Sequence, residues 1–487
     1  MSESIIELET DYLVVGAGAV GMAFVDVLMS ESDAEVIMVD RHAKPGGHWN
    51  VAYPFVTLHQ PSNFYGVSSR ELSKGYINET GLNKGLYELA SGAEVSAYFN
   101  DVMHEQFLPT GRVDYYPMCE YTGNYLVGEE GSYTFTSTVS GNEYRVRVRK
   151  KIVNATYYTA TVPATHTPAY SIDPSITFMP LNNLVSVTEP PEGYTVIGGG
   201  KTGIDACIWL LEQGVDPDSI RWIMPRDAWL LDRKNTQPGE EFFESTIGAQ
   251  ASQLEAIVES ESVEDLFLKL EARGVLLRID QSVTPAMFHG ATISQLELAQ
   301  LRRIKNVIRL GRVTSIEKDR IVLEKGEIET STRQIHVDCS ARLIKDLTPL
   351  PVFQGDLIIP QALRSYQPVF SAAMVAHVEL AYDDEARKNQ LCGVVPLPNH
   401  DTDWLRMQFA LMMNQYNWGQ DKDLSKWILE CRLDGFSSMV KSVSKEDLPK
   451  QAILKRIQNS AVPAVQRLQE LIDGLEPLSP ELVARYA

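Results

Sequence analysis

The chain has 487 residues, of which 44% are hydrophobic and 22% are charged, and its formal net charge at pH 7 is −20. This length is enough for two or three domains with substantial cores, and the composition is typical of a globular protein. The negative charge argues against nucleic acid and anionic membrane as general partners, and no apolar stretch is long enough to span a bilayer.

The N-terminus and the cysteines indicate the compartment. Met1 to Thr10 is acidic and lacks the basic and then apolar pattern of a secretory signal, so we expect a cytoplasmic protein. The five cysteines are far apart, and none of them forms a C-x-x-C pair. Their spacing predicts neither a thiol–disulfide centre nor a metal site, and it is typical of a reduced compartment.

The most specific pattern lies near the N-terminus, where an apolar run from Tyr12 to Val15 predicts a buried parallel strand. Glycines follow it with G-x-G-x-x-G spacing at Gly16, Gly18 and Gly21. In dinucleotide-binding units the first glycine permits a tight turn, the second lets the backbone approach a pyrophosphate, and the third lets helix and strand pack closely. An apolar helix follows, and a second strand ends in Asp40, an acid that can accept ribose hydroxyls.

The segment after Asp40 is rich in glycine, polar and aromatic residues. Arg41 opens it, and Gly46 and Gly47 lead into His48 and Trp49. Adjacent glycines let the backbone lie against a bulky cofactor, on which Trp49 could stack. The stretch 53–66 has neither helical nor strand periodicity and is predicted to be a loop, and loops on a rigid scaffold often carry function. Its polar side chains that could reach a cofactor ring are His59, Gln60, Ser62 and Asn63, although a loop that makes only local turns stays an alternative.

A second signature of the same kind begins at Tyr194. The strand Tyr194–Ile197 is followed by the glycines Gly198, Gly200 and Gly203 and by an apolar helix. Lys201 and Thr202 stand at the helix start and could contact phosphate. The next strand ends near Arg226 rather than in an acid, and an arginine there suits the 2′-phosphate of NADP. A solvated surface arginine is the alternative.

Two signatures in one chain predict two nucleotides. Two nicotinamides cannot usefully react in sequence, whereas a reduced nicotinamide can pass a hydride to a flavin. We therefore expect FAD at the first signature and NADPH at the second. The sequence predicts an α/β fold with two Rossmann-like dinucleotide-binding domains of the three-layer ββα type. The expected division is an FAD domain over 8–160, an NADPH domain over 161–333 with a helical insertion at about 235–303, and a second part of the FAD domain with a helical C-terminal region over 334–487.

With both signatures located, the chain resembles the class B flavin-containing monooxygenases. In that family the first signature and its terminal acid bind FAD, which implies this role for the residues from Gly16 to Asp40. The family's G-G-x-W motif matches 46–49, and its adenine-contacting strand matches 113–119, which ends in Cys119. Its strand end near the pyrophosphate matches Ala155, and Val337–Ala341 could be a later counterpart. The resemblance also implies that Arg226 binds the 2′-phosphate of NADPH.

The resemblance implies an NADPH-using monooxygenase that activates molecular oxygen as a C4a-peroxyflavin and acts on a small organic substrate. Asn63 is the expected partner of that adduct, His59 is the second candidate catalytic residue, and Gln367 is a candidate flavin contact before a predicted helix. The family's F-x-G-x-x-x-H fingerprint is absent, because 178–185 contains no glycine or histidine. Two alternatives therefore remain, an NADPH-dependent flavin reductase or oxidase and a flavin-bearing binding or redox-sensing protein. The sequence leaves open whether the chain forms a homo-oligomer.

Overall fold

The computed structural model describes residues 5–123, 125, 132–158, 161–341 and 348–475. The strands of these ranges are β1 (Ile6–Val15), β2 (Val36–Val39), β3 (Val113–Tyr116), β4 (Cys119–Tyr121), β5 (Ser132–Ser137), β6 (Glu143–Asn154), β7 (Ser171–Ile172), β8 (Thr177–Pro180), β9 (Tyr194–Ile197), β10 (Ile220–Ile223), β11 (Ala228–Asp232), β12 (Leu276–Leu277), β13 (Met287–Ile293), β14 (Asn306–Ile308), β15 (Val313–Ile316), β16 (Arg320–Leu323), β17 (Gly326–Glu329), β18 (Ile335–Asp338), β19 (Phe353–Gln354) and β20 (Leu357–Ile358). The α-helices are α1 (Ala19–Glu31), α2 (Gly92–Asp101), α3 (Lys201–Glu212), α4 (Phe243–Glu259), α5 (Val263–Ala272), α6 (Gln295–Leu301), α7 (Pro368–Ala381), α8 (Glu385–Leu391), α9 (Asp401–Gln420), α10 (Lys422–Glu430), α11 (Ser437–Lys441) and α12 (Leu448–Asp473).

The first unit is built on a sheet with the strand order β19-β20-β6-β1-β2-β3, in which β6, β1, β2 and β3 run parallel. Side chains of a strand alternate between the two faces of its sheet, and β1 shows this directly. Tyr12 and Val14 pack into a core with α1 and α7, whereas Leu13 and Val15 pack against the β5–β6 hairpin on the other face. The result is a helix layer, a central sheet and a covering hairpin, which is the three-layer ββα arrangement expected from the sequence.

The second unit repeats this architecture around a fully parallel sheet with the order β14-β10-β9-β18-β8. Val196 and Trp222 face the helix layer that contains α3. Ile197 and Ile223, one residue further along each strand, face the small β7, β15, β16 and β17 sheet. The α/β fold with two Rossmann-like units is therefore confirmed.

The structure corrects the expected domain boundary at 333/334. Strand β18 was assigned to the returning part of the first unit, but it pairs with β9 and β8 in the second sheet. The chain returns to the first unit with β19 and β20, of which β20 pairs with β6. The expected third segment also includes 342–347 and 476–487, which lie outside the described residues, as do positions 159–160 at the end of the expected first segment.

The region 235–303 is less helical than expected. Helices α4, α5 and α6 are present, but Met287–Ile293 is a strand that pairs in parallel with β11. Its side chains are buried except at His289, and such a run has no helical face to present to solvent. The apolar spacing from Leu86 to Phe107 predicts one helix, but α2 begins only at Gly92, because Ser91 and Glu94 form a capping box that fixes its start.

The C-terminal region is helical, as predicted, from α7 to α12. Helix α7 packs on α1 in the first unit, while α12 packs along α4 and α9 beside the second unit. Within the described residues, no helix is both long enough and apolar enough to cross a membrane.

Candidate functional site

The first glycine turn has the backbone geometry that its sequence predicts. Gly16 has a φ of +104°, which side-chain-bearing residues rarely adopt, and its N–H donates to the Val39 carbonyl at 2.8 Å. A Cβ on Gly21 would lie 1.9 Å from the Gly16 carbonyl oxygen, so only glycine allows α1 to pack this closely on β1. Ala155 closes the turn from the side, since its N–H donates to the Val15 carbonyl at 3.0 Å.

Asp40 is buried at the end of β2 and braces the turn. Its Oδ2 accepts a hydrogen bond from the Ala17 N–H at 2.7 Å, and its Oδ1 accepts one from the His42 N–H at 2.7 Å. The Cys119 N–H donates to the Asp40 carbonyl at 3.0 Å, which brings β4 beside this acid. This is the position expected for the strand that contacts the adenine. Arg41 is exposed on the outer surface.

The middle glycine of this turn faces a second glycine. A Cβ on Gly18 would lie 3.5 Å from the Gly47 Cα, and a Cβ on Gly47 would lie 3.0 Å from the Gly18 Cα. Gly18 is also the N-cap of α1, which has no capping side chain and no acid in its first turn. A helix N-terminus of this kind favours a negatively charged group. The paired glycines, the uncapped helix and the acid at the end of β2 fit the pyrophosphate and ribose of FAD.

The segment that follows Gly47 forms one wall of the boundary between the two units, a boundary that we call the crevice, and Trp49 in this segment packs against the cores of both units. The His48 and Trp49 ring centroids are 5.0 Å apart, and the Trp49 indole N–H donates to the Tyr65 hydroxyl at 2.9 Å. Burial lowers the pKa of His48 to about 4 and raises the pKa of Tyr65 to about 12. Both side chains nevertheless keep some accessible surface, so they line a recess and not the close-packed core.

His59 lies where this wall meets the second unit. Burial, together with the positive charges of Lys201 and Arg233, lowers the pKa of His59 well below its ordinary value. The Arg233 Nε donates to the His59 carbonyl oxygen at 2.9 Å, which fixes the backbone of the loop. Arg233 is itself buried and forms an ion pair with Glu297 at 2.8 Å. Burial and the two nearby positive charges therefore all favour the neutral form of the His59 imidazole.

The second glycine turn repeats the geometry of the first. Gly198 has a φ of +132°, and a Cβ on Gly203 would lie 2.0 Å from the Gly198 carbonyl oxygen. Gly200 is the N-cap of α3, and a Cβ added there would meet no atom within 4 Å. This open space lies at an uncapped helix N-terminus, next to Lys201 and Thr202 in the first turn, and fits a pyrophosphate.

Lys201 is bonded to a carboxylate that also takes part in a contact between the two units. Its ammonium group is bonded to the Asp205 carboxylate one helical turn away, and the same carboxylate accepts the Tyr53 hydroxyl at 2.5 Å. Tyr53 comes from the loop of the first unit, and its pKa is raised well above its ordinary value by burial and by Asp205. A phosphate at the second turn would therefore compete with Asp205 for Lys201.

Arg226 follows β10 beside the second turn, where its carbonyl oxygen lies 3.0 Å from the position of a Cβ on Gly199. Its guanidinium donates to the Asn399 side-chain oxygen at 2.8 Å. The neighbouring Asp227 carboxylate is bound by Arg309 through two hydrogen bonds of 2.8 and 2.9 Å. Its negative charge is therefore compensated and would repel a phosphate at Arg226 only weakly. The position fits the 2′-phosphate role expected for Arg226.

Some expected residues lie elsewhere. The Asn63 amide donates to Glu71 at 3.4 Å and lines a separate cavity of about 370 Å³ with Arg432 and Glu240. The Gln367 side chain is buried and accepts from Arg364 at 3.2 Å. Gln60 is half-buried beside His59.

Sequence reasoning missed Tyr53, Asp205, Arg233 and Asn399 as members of the site. For Asp205, the (i, i+4) spacing from Lys201 was a usable signal. The other three join the site only through tertiary contacts, so the sequence offered no local pattern for them.

The fold and the site together define a protein with two Rossmann-like units that meet across a crevice. No family model matches the chain. Uncharacterized proteins of Mycobacterium tuberculosis and Mycobacterium bovis are each 45% identical to it over 467 residues, which covers 96% of this chain and 85% of theirs. The chain belongs to the same family as these mycobacterial proteins.

Three solved structures illustrate more distant likenesses. A flavin-containing monooxygenase from Stenotrophomonas maltophilia is 14% identical with a TM-score of 0.44, covering 77% of this chain and 97% of that one. A steroid monooxygenase bound to NADP is 13% identical with a TM-score of 0.46, covering 93% and 98%. The OTEMO complex with FAD and NADP is 15% identical with a TM-score of 0.48, covering 76% and 84%. Likenesses at this level assign no residue of this chain.

Proposed function

We propose that the protein is an FAD-dependent oxidoreductase that uses NADPH and oxygenates a small organic substrate with molecular oxygen. The observation that carries the proposal is the duplication of the glycine turn on either side of one crevice. Each turn presents backbone at an uncapped helix N-terminus, next to Gly47 in one unit and to open space at Gly200 in the other. Two such turns would hold two dinucleotides, one in each unit.

The chain's own residues would bind and orient the two nucleotides. Asp40 and the Gly16–Gly21 turn would hold the ribose and pyrophosphate of FAD, while the Gly198–Gly203 turn, Lys201 and Arg226 would hold NADPH. When bound, FAD would accept a hydride from NADPH and deliver the electrons to oxygen. The Tyr53 hydroxyl would hold the Asp205 side chain beside Lys201 until a phosphate takes the ammonium group.

The crevice suits chemistry that requires water to be excluded. Burial lowers the pKa of His48 and of His59, and the Trp49–Tyr65 hydrogen bond fixes the aromatic side of the crevice wall. A neutral His59 could accept or donate a hydrogen bond to a substrate or to an oxygen species without adding a charge. These features support oxygenation of a substrate over simple release of electrons to solvent.

One observation favours an NADPH oxidase as the second candidate. The segment between the two glycine signatures includes β8 and a 3₁₀-helix over Leu181–Ser186, and neither of these two elements contains a histidine or a glycine. An enzyme without such residues would release hydrogen peroxide in place of an oxygenated product.

The purified protein tests both candidates. We expect bound FAD after reconstitution, faster oxidation of NADPH than of NADH, and oxygenated product from at least one member of a panel of sulfides, amines and ketones. Product and hydrogen peroxide are measured per NADPH consumed. Failure to bind FAD would refute the proposal, whereas one peroxide per NADPH across the whole panel would establish the oxidase.

A further inference from the structure

Three segments that are far apart in the sequence converge on one oxygen atom beside the second glycine turn. The Asn399 side-chain oxygen lies 2.8 Å from an Arg226 guanidinium nitrogen and 3.0 Å from the His289 Nε2. Arg226 follows β10, His289 lies on β13, and Asn399 precedes α9. The convergence is built into the fold, because an isolated β-bridge joins Met287 to His400 and the Asn399 N–H donates to Asp403 at 3.0 Å.

The donor and acceptor roles follow from chemistry. A guanidinium can only donate, so the Asn399 atom that faces Arg226 is its oxygen. The His289 Nε2 that shares this oxygen must then carry a hydrogen and donate as well. Two donors, one of them permanently cationic, therefore point at a single oxygen acceptor. A phosphate oxygen accepts the same hydrogen bonds and adds a negative charge that the amide lacks.

We infer that His289 is the second binding group for the 2′-phosphate of NADPH, and that the Asn399 amide oxygen stands in for a phosphate oxygen when no nucleotide is bound. This inference rests on the proposed use of NADPH. His289 is exposed, so it can reach a ligand without unpacking β13. When the phosphate enters, Arg226 and His289 exchange the amide oxygen for phosphate oxygens, and Asn399 moves aside or donates through its Nδ2.

Binding of 2′,5′-ADP and of 5′-ADP, measured by calorimetry on the full-length protein, isolates the 2′-phosphate from catalysis. The wild-type protein is expected to prefer 2′,5′-ADP. His289→Phe should weaken 2′,5′-ADP binding roughly tenfold and leave 5′-ADP unchanged, because one hydrogen bond to a charged group is lost. His289→Gln, which can still donate, should recover part of the affinity. His104→Ala, at an exposed histidine of the π-helix Val102–Phe107, is the control and should change neither ligand.

Substitutions at Asn399 give an independent test of the stand-in role. Asn399→Ala removes the internal competitor and should bind 2′,5′-ADP as tightly as the wild type or several-fold more tightly. Asn399→Asp places a carboxylate at the same point and should weaken 2′,5′-ADP without a comparable change in 5′-ADP binding.

The outcomes separate this inference from the proposed function. If the wild type prefers 2′,5′-ADP and His289→Phe retains that preference in full, the role of His289 is refuted and NADPH use stands. A loss of 2′,5′-ADP affinity in Asn399→Ala would refute the stand-in role. If the wild type binds both nucleotides equally, or neither of them, the NADPH assignment itself fails and this inference fails with it.

Discussion

Replacing the middle glycine of each turn with alanine gives two matched variants that test both nucleotide sites. Gly18 has a φ of −75° and Gly200 a φ of −84°, so alanine fits either backbone without strain. A Cβ at Gly18 would make ordinary contact with Gly47 at 3.5 Å, and a Cβ at Gly200 would meet nothing within 4 Å. Both variants should therefore fold, unlike variants at Gly21 or Gly203, whose Cβ atoms would collide with backbone oxygens.

The two effects on stability nearly cancel. Alanine is a poorer N-cap than glycine by roughly 0.5–1 kcal/mol. Removing the flexibility of glycine from the unfolded chain stabilises the folded state by about 0.4–1 kcal/mol. The net change lies within about 1 kcal/mol, which shifts the melting temperature by less than about 4 °C.

The changes in ligand affinity should be much larger than the changes in stability, and each variant should lose affinity for a different ligand. In Gly18→Ala the added methyl group narrows the gap to Gly47 and keeps a pyrophosphate from the backbone N–H groups. Losing one such charge-assisted bond costs about 1.5–3 kcal/mol, or on the order of 10- to 150-fold in FAD affinity. In Gly200→Ala the same loss should fall on 2′,5′-ADP, with FAD binding intact.

The assay is the flavin-to-protein absorbance ratio after dialysis against free FAD, together with calorimetric binding of 2′,5′-ADP. Each variant serves as the folding control for the other. Full FAD content in Gly18→Ala would refute the pyrophosphate assignment at the first turn. Loss of both ligands in both variants would show that the turns are structural and that the reasoning from Cβ positions is wrong.

Two further predictions concern the crevice. Folding lowers the pKa of His48 from 6.5 to about 4, so the unfolded chain binds more protons than the folded chain between these pH values. The free energy of unfolding should therefore fall by about 2 kcal/mol from this group as the pH drops from 8 to 5. Urea unfolding at pH 8 and pH 5 should show a smaller loss of unfolding free energy for His48→Phe than for the wild type. An equal loss in both proteins would contradict the lowered pKa of His48. His59→Phe should lower the ratio of product to hydrogen peroxide several-fold, whereas Asn63→Ala, whose amide contacts Glu71, should leave it unchanged. The reverse pattern would return the catalytic role to Asn63.

The sequence predicted the two glycine turns well because each of them is a local structure. Apolar runs specify the buried strands, and the positive φ at Gly16 and Gly198 is encoded by the residue that tolerates it. The start of α2 was misplaced by six residues because the periodic pattern continues past the Ser91 cap, which the prediction did not weigh.

The errors that matter for the site are nonlocal. A parallel strand can join any sheet that its crossover reaches, so nothing in the residues of β18 reveals that it pairs with β9 and not with the first sheet. The region that contains β13 was expected to be helical, and the strand's partner β11 lies more than fifty residues earlier in the sequence. The meeting of Arg226, His289 and Asn399 depends on the placement of β13, which carries His289.

The crevice combines structure from both units, and this explains why neither signature alone defines the function. His59 lies on the first unit's loop, yet its backbone is held by Arg233 and its protonation is opposed by Lys201, both from the second unit. Tyr53, from the same loop, holds the carboxylate that occupies Lys201. A phosphate that draws Lys201 away from Asp205 therefore changes both the charge near His59 and the bond that anchors Tyr53. If a nucleotide occupies the second turn as proposed, we expect the wall formed by the first unit to change as well, because the same loop carries both contacts.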